Sequence, residues 1–222
     1  MNVLLVLAHP EPQSFNGAMF GTARSALEAN GHQVVTSDLY RMGFDPVSSR
    51  RNFVSVKEAG YLKLQAEEML ASEVHGFALD VEAEIAKIEA ADLMIWQFPL
   101  WWFGMPAILK GWVDRVFAMG RVYGNGHIYE TGRFKGKRAL LSLTTGGPEA
   151  AYQQGGFNGD LEAMLRPMQR GMLEFTGFSV LMPQVVYGPV RADDAQRHAW
   201  LAQWEGRLRF IEQETPIEVG QY

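Results

Sequence analysis

The chain has 222 residues, a formal net charge of −5, a pI near 5.6 and no cysteine. That length fits one domain with an insertion and buries a sizeable core, while the acidic balance argues against a nucleic-acid scaffold. Without cysteine there is no disulfide framework, no thiolate metal site and no thiol nucleophile.

The start, Met1-Asn2-Val3-Leu4-Leu5, lacks the basic region and cleavage site of a signal peptide, so the mature chain is expected to begin here. The longest apolar region, 93–109, is broken by Gln97, Pro99, Gly104 and Pro106 and falls short of the roughly 20 residues of a membrane helix. A cytoplasmic protein without an integral membrane segment is expected.

Residues 3–8 form an apolar run that fits a first buried strand, closed by the loop His9-Pro10-Glu11-Pro12-Gln13-Ser14-Phe15-Asn16. Ser14 suits an N-cap for a helix whose Phe15, Met19, Ala23, Ala26 and Leu27 share a face and whose stop is Gly31. A helix amino terminus attracts phosphate through its unsatisfied N–H groups, although the loop reads equally well as a simple turn. It holds no lysine, so it is not a Walker loop, and no G-x-G-x-x-G occurs in the chain.

Residues 33–39 predict a second strand with Val34 and Val35 buried. Residues 42–80 then interrupt the rhythm with a polar insertion, weakly helical around 61–74, and insertions of that length are often functional. Residues 80–91 predict a helix with Val81, Ile85 and Ile88 apolar.

Residues 93–98 are nearly continuously apolar and short, which suits a central parallel strand covered on both faces. Pro99 removes a ladder donor, and Pro106 suits the first turn of a helix over 106–117. That helix has an apolar face of Ile108, Leu109, Trp112, Val113, Val116 and Phe117, with Lys110, Asp114 and Arg115 pointing elsewhere and Asp114-Arg115 read as a solvated pair. Between strand and helix lie Leu100, Trp101, Trp102 and Phe103. Trp96, Phe98 and Trp112 read as core. Three adjacent aromatics at 101–103 cannot all point inward, so at least one is expected to be exposed where a flat ligand would cover it.

Residues 120–137 read as loop, with Tyr123, Asn125, His127 and Tyr129 among glycines. Residues 138–145 predict a fourth strand ending in Thr144-Thr145-Gly146-Gly147, a donor-rich turn. Residues 178–187 predict the fifth strand, and 192–210 a closing helix with the stripe Trp200, Leu201, Trp204 and Leu208. The expected class is α/β, a doubly wound, five-stranded parallel sheet of flavodoxin-like order 2-1-3-4-5 with helices on both faces, and residues 1–222 form a single domain. In that order the loops 10–16, 99–104 and 144–147 meet at the switch point. A phosphate seat including Ser14, an aromatic platform beginning at Pro99 and a glycine loop together suit a flavin. His9, His32, His75, His127 and His198 show no ligand spacing, so no metal is assigned.

The motifs Ala8-His9-Pro10, Ser14-Phe15-Asn16, Ser37-Asp38-Leu39-Tyr40, Phe44-Asp45-Pro46, Phe98-Pro99-Leu100, Trp102-Phe103-Gly104, Pro106-Ala107-Ile108-Leu109-Lys110-Gly111-Trp112 and Thr144-Thr145-Gly146-Gly147 resemble the NAD(P)H:quinone oxidoreductase family over most of the chain. The resemblance implies a homodimer holding FAD, with FMN possible, and NAD(P)H as co-substrate for ping-pong two-electron reduction of quinones. It places His9, Phe15, Asn16, Leu100, Trp101, Trp102, Phe103, Thr144, Thr145, Gly146, Gly147, Tyr152, Asp114 and Arg197 at the cofactor, and Tyr123 and Asn125 by the substrate.

Tyr152 matches the family's active-site tyrosine, but the catalytic histidine falls at Asn158, which can hydrogen-bond yet cannot carry the charge. Asn125 likewise replaces a rim tyrosine. A flavin-bearing regulatory subunit of a membrane transporter and an FMN electron carrier stand as alternatives.

Overall fold

The computed structural model describes residues 1–220. Its sheet runs β2-β1-β3-β4-β5, all parallel, with β6 also paired to β4. These strands are β1 (Asn2–Leu7), β2 (Gln33–Asp38), β3 (Leu93–Pro99), β4 (Arg138–Thr145), β5 (Ser179–Val180) and β6 (Gln184–Tyr187). The order is the one the sequence predicts. The fifth strand, expected unbroken over 178–187, is two short pieces. Pro183 has no N–H to give the ladder, and the chain leaves and rejoins β4 around it.

The helices are α1 (Phe15–Ala29), α2 (Leu64–Val74), α3 (Leu79–Ala90), α4 (Ala107–Val116), α5 (Leu161–Met168) and α6 (Asp194–Leu208). Alternate strand residues point to opposite faces, so the central strands feed two cores. Val3, Leu5, Leu93, Ile95 and Leu140 pack with Met19, Ala23 and Leu27 of α1 and with Trp204 and Leu208 of α6. Leu4, Val6, Met94, Trp96, Phe98 and Leu141 pack with Ile85, Ile88, Trp112 and Val116 on α3 and α4, and with Leu165 of α5. Trp96 meets Trp112 edge-on, with ring centroids 6.1 Å apart, an arrangement worth about 1 kcal/mol beyond area burial.

Two sequence expectations fail for physical reasons. Val35 is exposed and Val34 only half-buried, because β2 is the sheet edge. Arg115 is no solvated partner of Asp114. It is 3% exposed, donates to Asn52 Oδ1 at 2.8 Å and Asp45 O at 2.7 Å, pairs with Asp80 at 2.8 Å and lies over the Phe44 ring. It therefore ties the irregular stretch before α2 to α4. Asp114 instead pairs with Lys110 on its own helix at 2.6 Å.

The rest of that stretch is held by the buried Glu67, which accepts the N–H groups of Lys57 at 2.7 Å and Glu58 at 3.0 Å. Among the described residues no helix is long and apolar enough to cross a membrane.

Candidate functional site

Three loops leave the carboxyl ends of β1, β3 and β4, and the structure fastens them to one another. Ser14 caps α1, its Oγ accepting the Gly17 N–H at 3.1 Å. Gly17 is required there because a Cβ would lie 2.1 Å from the Pro12 carbonyl oxygen. Behind the cap, buried Asn16 donates from Nδ2 to Thr144 Oγ1 at 2.9 Å, and its Oδ1 accepts from Gln97 Nε2 at 2.8 Å. The Leu100 N–H donates to the Thr144 carbonyl at 2.8 Å, closing the set. Each side chain in this network satisfies another, which fixes the relative position of all three loops.

The aromatic loop is held open by its backbone. Trp102 and Phe103 both have left-handed φ, 52° and 60°, a conformation costing on the order of 1–3 kcal/mol for each such residue. That backbone turns the rings outward: Trp101, Trp102 and Phe103 are 41%, 96% and 50% exposed, so all three face solvent where at least one was expected to. Trp96, Phe98 and Trp112 are buried, as expected. His9 lies against Trp101 with centroids 5.9 Å apart. His9 Nδ1 lies 3.0 Å from the Glu11 backbone nitrogen and 3.1 Å from the Glu11 carbonyl oxygen, contacts that fix the ring on its own loop.

The glycine loop is braced by Thr145 Oγ1, which donates to the Gly147 carbonyl at 2.8 Å, and by the Gly188 N–H on Thr145 O at 3.0 Å. The N–H groups of Gly146 and Gly147 stay free among the described residues, as do those of Phe15, Asn16, Trp102 and Phe103. Gly147 packs against the two residues expected to be catalytic. A Cβ added there would meet Tyr152 Cε2 at 3.3 Å and Asn158 Nδ2 at 3.5 Å. The Asn158 N–H is held by the Ala151 carbonyl at 2.7 Å, and the buried Tyr152 ring leans on Tyr187 at 6.1 Å.

Together the loops enclose a crevice of about 830 Å³, within the range of ligand pockets. His9, Ser14, Phe15, Asn16, Pro99, Leu100, Trp101, Trp102, Thr144, Thr145, Gly146 and Arg197 all line it. Arg197 is positioned by its donation to Pro189 O at 3.1 Å and its pair with Asp194 at 2.7 Å. Phe103 and Gly147 adjoin the crevice without lining it.

Three sequence-selected residues lie elsewhere. Asp114 and Tyr123 border a separate small cavity with Glu68 and Phe175, and Asn125 sits exposed in the loop beyond. Asp114 is kept from this crevice by its place on α4 and its bond to Lys110. Burial raises the Tyr123 hydroxyl above its ordinary range, partly offset by the Gln65 amide that donates to it at 3.1 Å.

Sequence reasoning did not single out Gln97, Gly17, Pro189, Val190 or His198. Gln97 carried a visible signal, one polar residue in an otherwise apolar strand. The donor set fits a flavin. It combines free amides on three sides, an outward aromatic surface and no carboxylate lining except Asp194, which Arg197 neutralises.

A family profile for the flavodoxin-like fold matches residues 1–208. NAD(P)H dehydrogenase [quinone] 1 of Cavia porcellus is 45% identical over 215 residues, covering 96% of this chain and 78% of that protein. Ribosyldihydronicotinamide dehydrogenase [quinone] of Rattus norvegicus is 44% identical, covering 97% of this chain and 94% of its own. Among solved structures, a candidate quinone reductase from Klebsiella pneumoniae superposes with a TM-score of 0.94 at 40% identity, covering 98% of this chain and 87% of that one.

Proposed function

The chain belongs to the flavodoxin-like family of NAD(P)H dehydrogenases acting on quinones, and we propose that it holds FAD in the three-loop crevice and works by two-electron, ping-pong transfer. The observation that carries this reading is the hydrogen-bonded set Asn16, Gln97 and Thr144. It brings free amides and an exposed aromatic loop to one cavity. FAD is preferred to FMN because the crevice continues beyond the α1 terminus to Val190, Leu201 and the Arg197 guanidinium, an apolar bed with a cation beside it.

The chemistry a flavin supplies in such a place is hydride exchange between NAD(P)H and a quinone. The protein's part is positional and electrostatic. The α1 amides of Phe15 and Asn16 seat a phosphate. Trp101 and Trp102 cover a planar ring and exclude water. The free Gly146 and Gly147 N–H groups would stabilise negative charge on a bound flavin, and one well-placed donor of this kind is worth about 3 kcal/mol of barrier. Tyr152, packed under Gly147, can donate a hydrogen bond to the same charge, and Asn158 beside it donates without titrating.

We further propose a twofold homodimer. Trp102 and Phe157 are almost fully exposed, and Tyr123 and Asn125 lie away from their own crevice, so they reach a substrate only in the crevice of a second copy. In a ping-pong scheme NAD(P)H and quinone occupy that shared space in turn. Anaerobic mixing of the FAD-loaded protein with NAD(P)H and then with benzoquinone tests the reading. Flavin absorbance should bleach and then return. Bleaching without return excludes quinone as acceptor, and no bleaching excludes the dehydrogenase activity.

A further inference from the structure

A second cavity, about 910 Å³, is lined by Tyr152 but by neither Gly146 nor Gly147 of the glycine loop that packs on that tyrosine. Tyr152 and Tyr187 form its aromatic floor, with ring centroids 6.1 Å apart and planes 40° to one another. Trp200 shares its wall with the flavin crevice, because the same indole meets the crevice residue Phe15 edge-on at 6.0 Å. Exposed Glu149, Glu162 and Glu218 stand on the rim against one cation, Arg166. The cavity is thus aromatic below and anionic above.

Gln169 gives the independent sign of a ligand. It is 5% exposed, lines the cavity, and its side-chain amide has no hydrogen-bond partner among the described residues. The buried side-chain atoms left unpaired among the described residues are Trp96 Nε1 and Ser142 Oγ, so the Gln169 amide still reaches the solvent of the cavity, where it is open to bond what enters. It opens the π-helical turn Gln169–Leu173 that follows α5, a local distortion frequent at functional sites.

We propose that this groove is a second small-molecule site, distinct from the flavin crevice, that takes a flat aromatic ligand bearing an ammonium group. The ring stacks on the tyrosine floor and Trp200. The cation sits among Glu149, Glu162 and Glu218 and over the π faces below. The Gln169 carbonyl accepts from a ligand N–H. A nucleotide is excluded by the same rim, since its phosphates would face three carboxylates.

The test is calorimetric titration of tryptamine into FAD-saturated protein. Saturable binding at one per chain is expected. Indole-3-acetate, with the same ring and the opposite charge, should bind at least about tenfold more weakly, the equivalent of 1.4 kcal/mol. The double variant Glu162→Gln, Glu218→Gln should weaken tryptamine roughly fivefold, the loss of two partly screened contacts.

Gln169→Leu should weaken tryptamine without lowering the melting temperature, since it removes an unpartnered amide. Should that variant fail to fold, the carboxylate pair and the two opposed ligands still decide. No saturable binding, equal affinity for indole-3-acetate, or tryptamine binding that disappears on FAD saturation would overturn the proposal. If the protein takes up no FAD, the flavin reading fails alone, and the same titration of the flavin-free protein decides this one.

Discussion

Asn16 and Thr144 stand 128 positions apart and share one buried hydrogen bond, Nδ2 to Oγ1 at 2.9 Å. The first residue of this pair lies in the first turn of α1 and the second at the end of β4 before the glycine loop, so the bond ties two walls of the crevice together. Asn16→Ala leaves Gln97 Nε2 and Thr144 Oγ1 without their partner. It should destabilise the fold by about 2 kcal/mol, as orphaned buried groups do. It should also weaken FAD by more than the loss of stability explains. Urea unfolding with and without FAD measures both, and equal losses in the two would show that the bond is structural only.

Trp102 offers the opposite sign. Its φ of 52° is unfavourable for an aromatic residue, so Trp102→Gly relieves strain worth on the order of 1 kcal/mol while deleting the exposed ring. The flavin-free variant should melt at or above the parent temperature, and FAD affinity should fall about tenfold with the loss of one stacking surface. A variant that loses stability and keeps FAD affinity would contradict the assigned role.

Glu67 and Glu68 are neighbours whose carboxyls shift in opposite directions. The Lys57 and Glu58 N–H groups, with Arg50 nearby, hold Glu67 below the usual carboxylate range. Its contribution is present above that range and is lost as pH falls through the depressed value. Burial pushes Glu68 up, against the Met119 N–H that donates to it at 2.8 Å. Folding there favours the protonated form, so stability declines as pH rises from the ordinary carboxylate range through the raised value. Glu68→Gln keeps an acceptor for Met119 and should raise stability at pH 7 by up to about 1 kcal/mol, with no gain near pH 4. Glu67→Gln should lower stability at pH 7. Thermal melts at the two pH values check both signs.

Asn158 stands where a titrating histidine is expected from the family resemblance. The flavin-reduction rate should therefore show no inflection between about pH 6 and 8, the imidazole range, and Asn158→His should introduce one. Tyr152→Phe should slow reduction modestly in both backgrounds. Stopped-flow reduction by NAD(P)H across pH measures this. An inflection in the parent that survives replacement of His9, His127 and His198 would contradict the account.

Arg115 carries a prediction for the fold alone. Arg115→Ala strands Asn52 Oδ1 and the Asp45 carbonyl and should cost about 3 kcal/mol, read by urea unfolding, without altering kcat per folded enzyme.

Much of this was legible in the sequence because the local signals were strong. Continuous apolar runs marked β1, β3 and β4, and Ser14 and Pro106 marked helix starts that the structure places within a residue. That at least one of Trp101 to Phe103 is exposed followed from crowding alone, whereas the exposure of all three depends on the left-handed backbone at Trp102 and Phe103. What stayed hidden depended on long-range partners. Arg115 looks like any helix cation until Asn52 and Asp80 close around it, and Gln97 acquires meaning only beside Asn16. Val35 was misread because an edge strand and a central strand share the same β-branched signature, and the position of Tyr123 outside the crevice cannot be read from one chain's periodicity.

The central claim is that the three-loop crevice is the place of a redox-active flavin. Titrating flavin-free protein with FAD and following the quenching of flavin and tryptophan fluorescence tests it most directly. Saturation at one FAD per chain is expected, with tryptophan quenching reduced in Trp102→Gly and bound FAD bleached by NAD(P)H. A protein that takes up neither FAD nor FMN, or that binds flavin with undiminished affinity when Asn16 and Trp102 are both replaced, would contradict it.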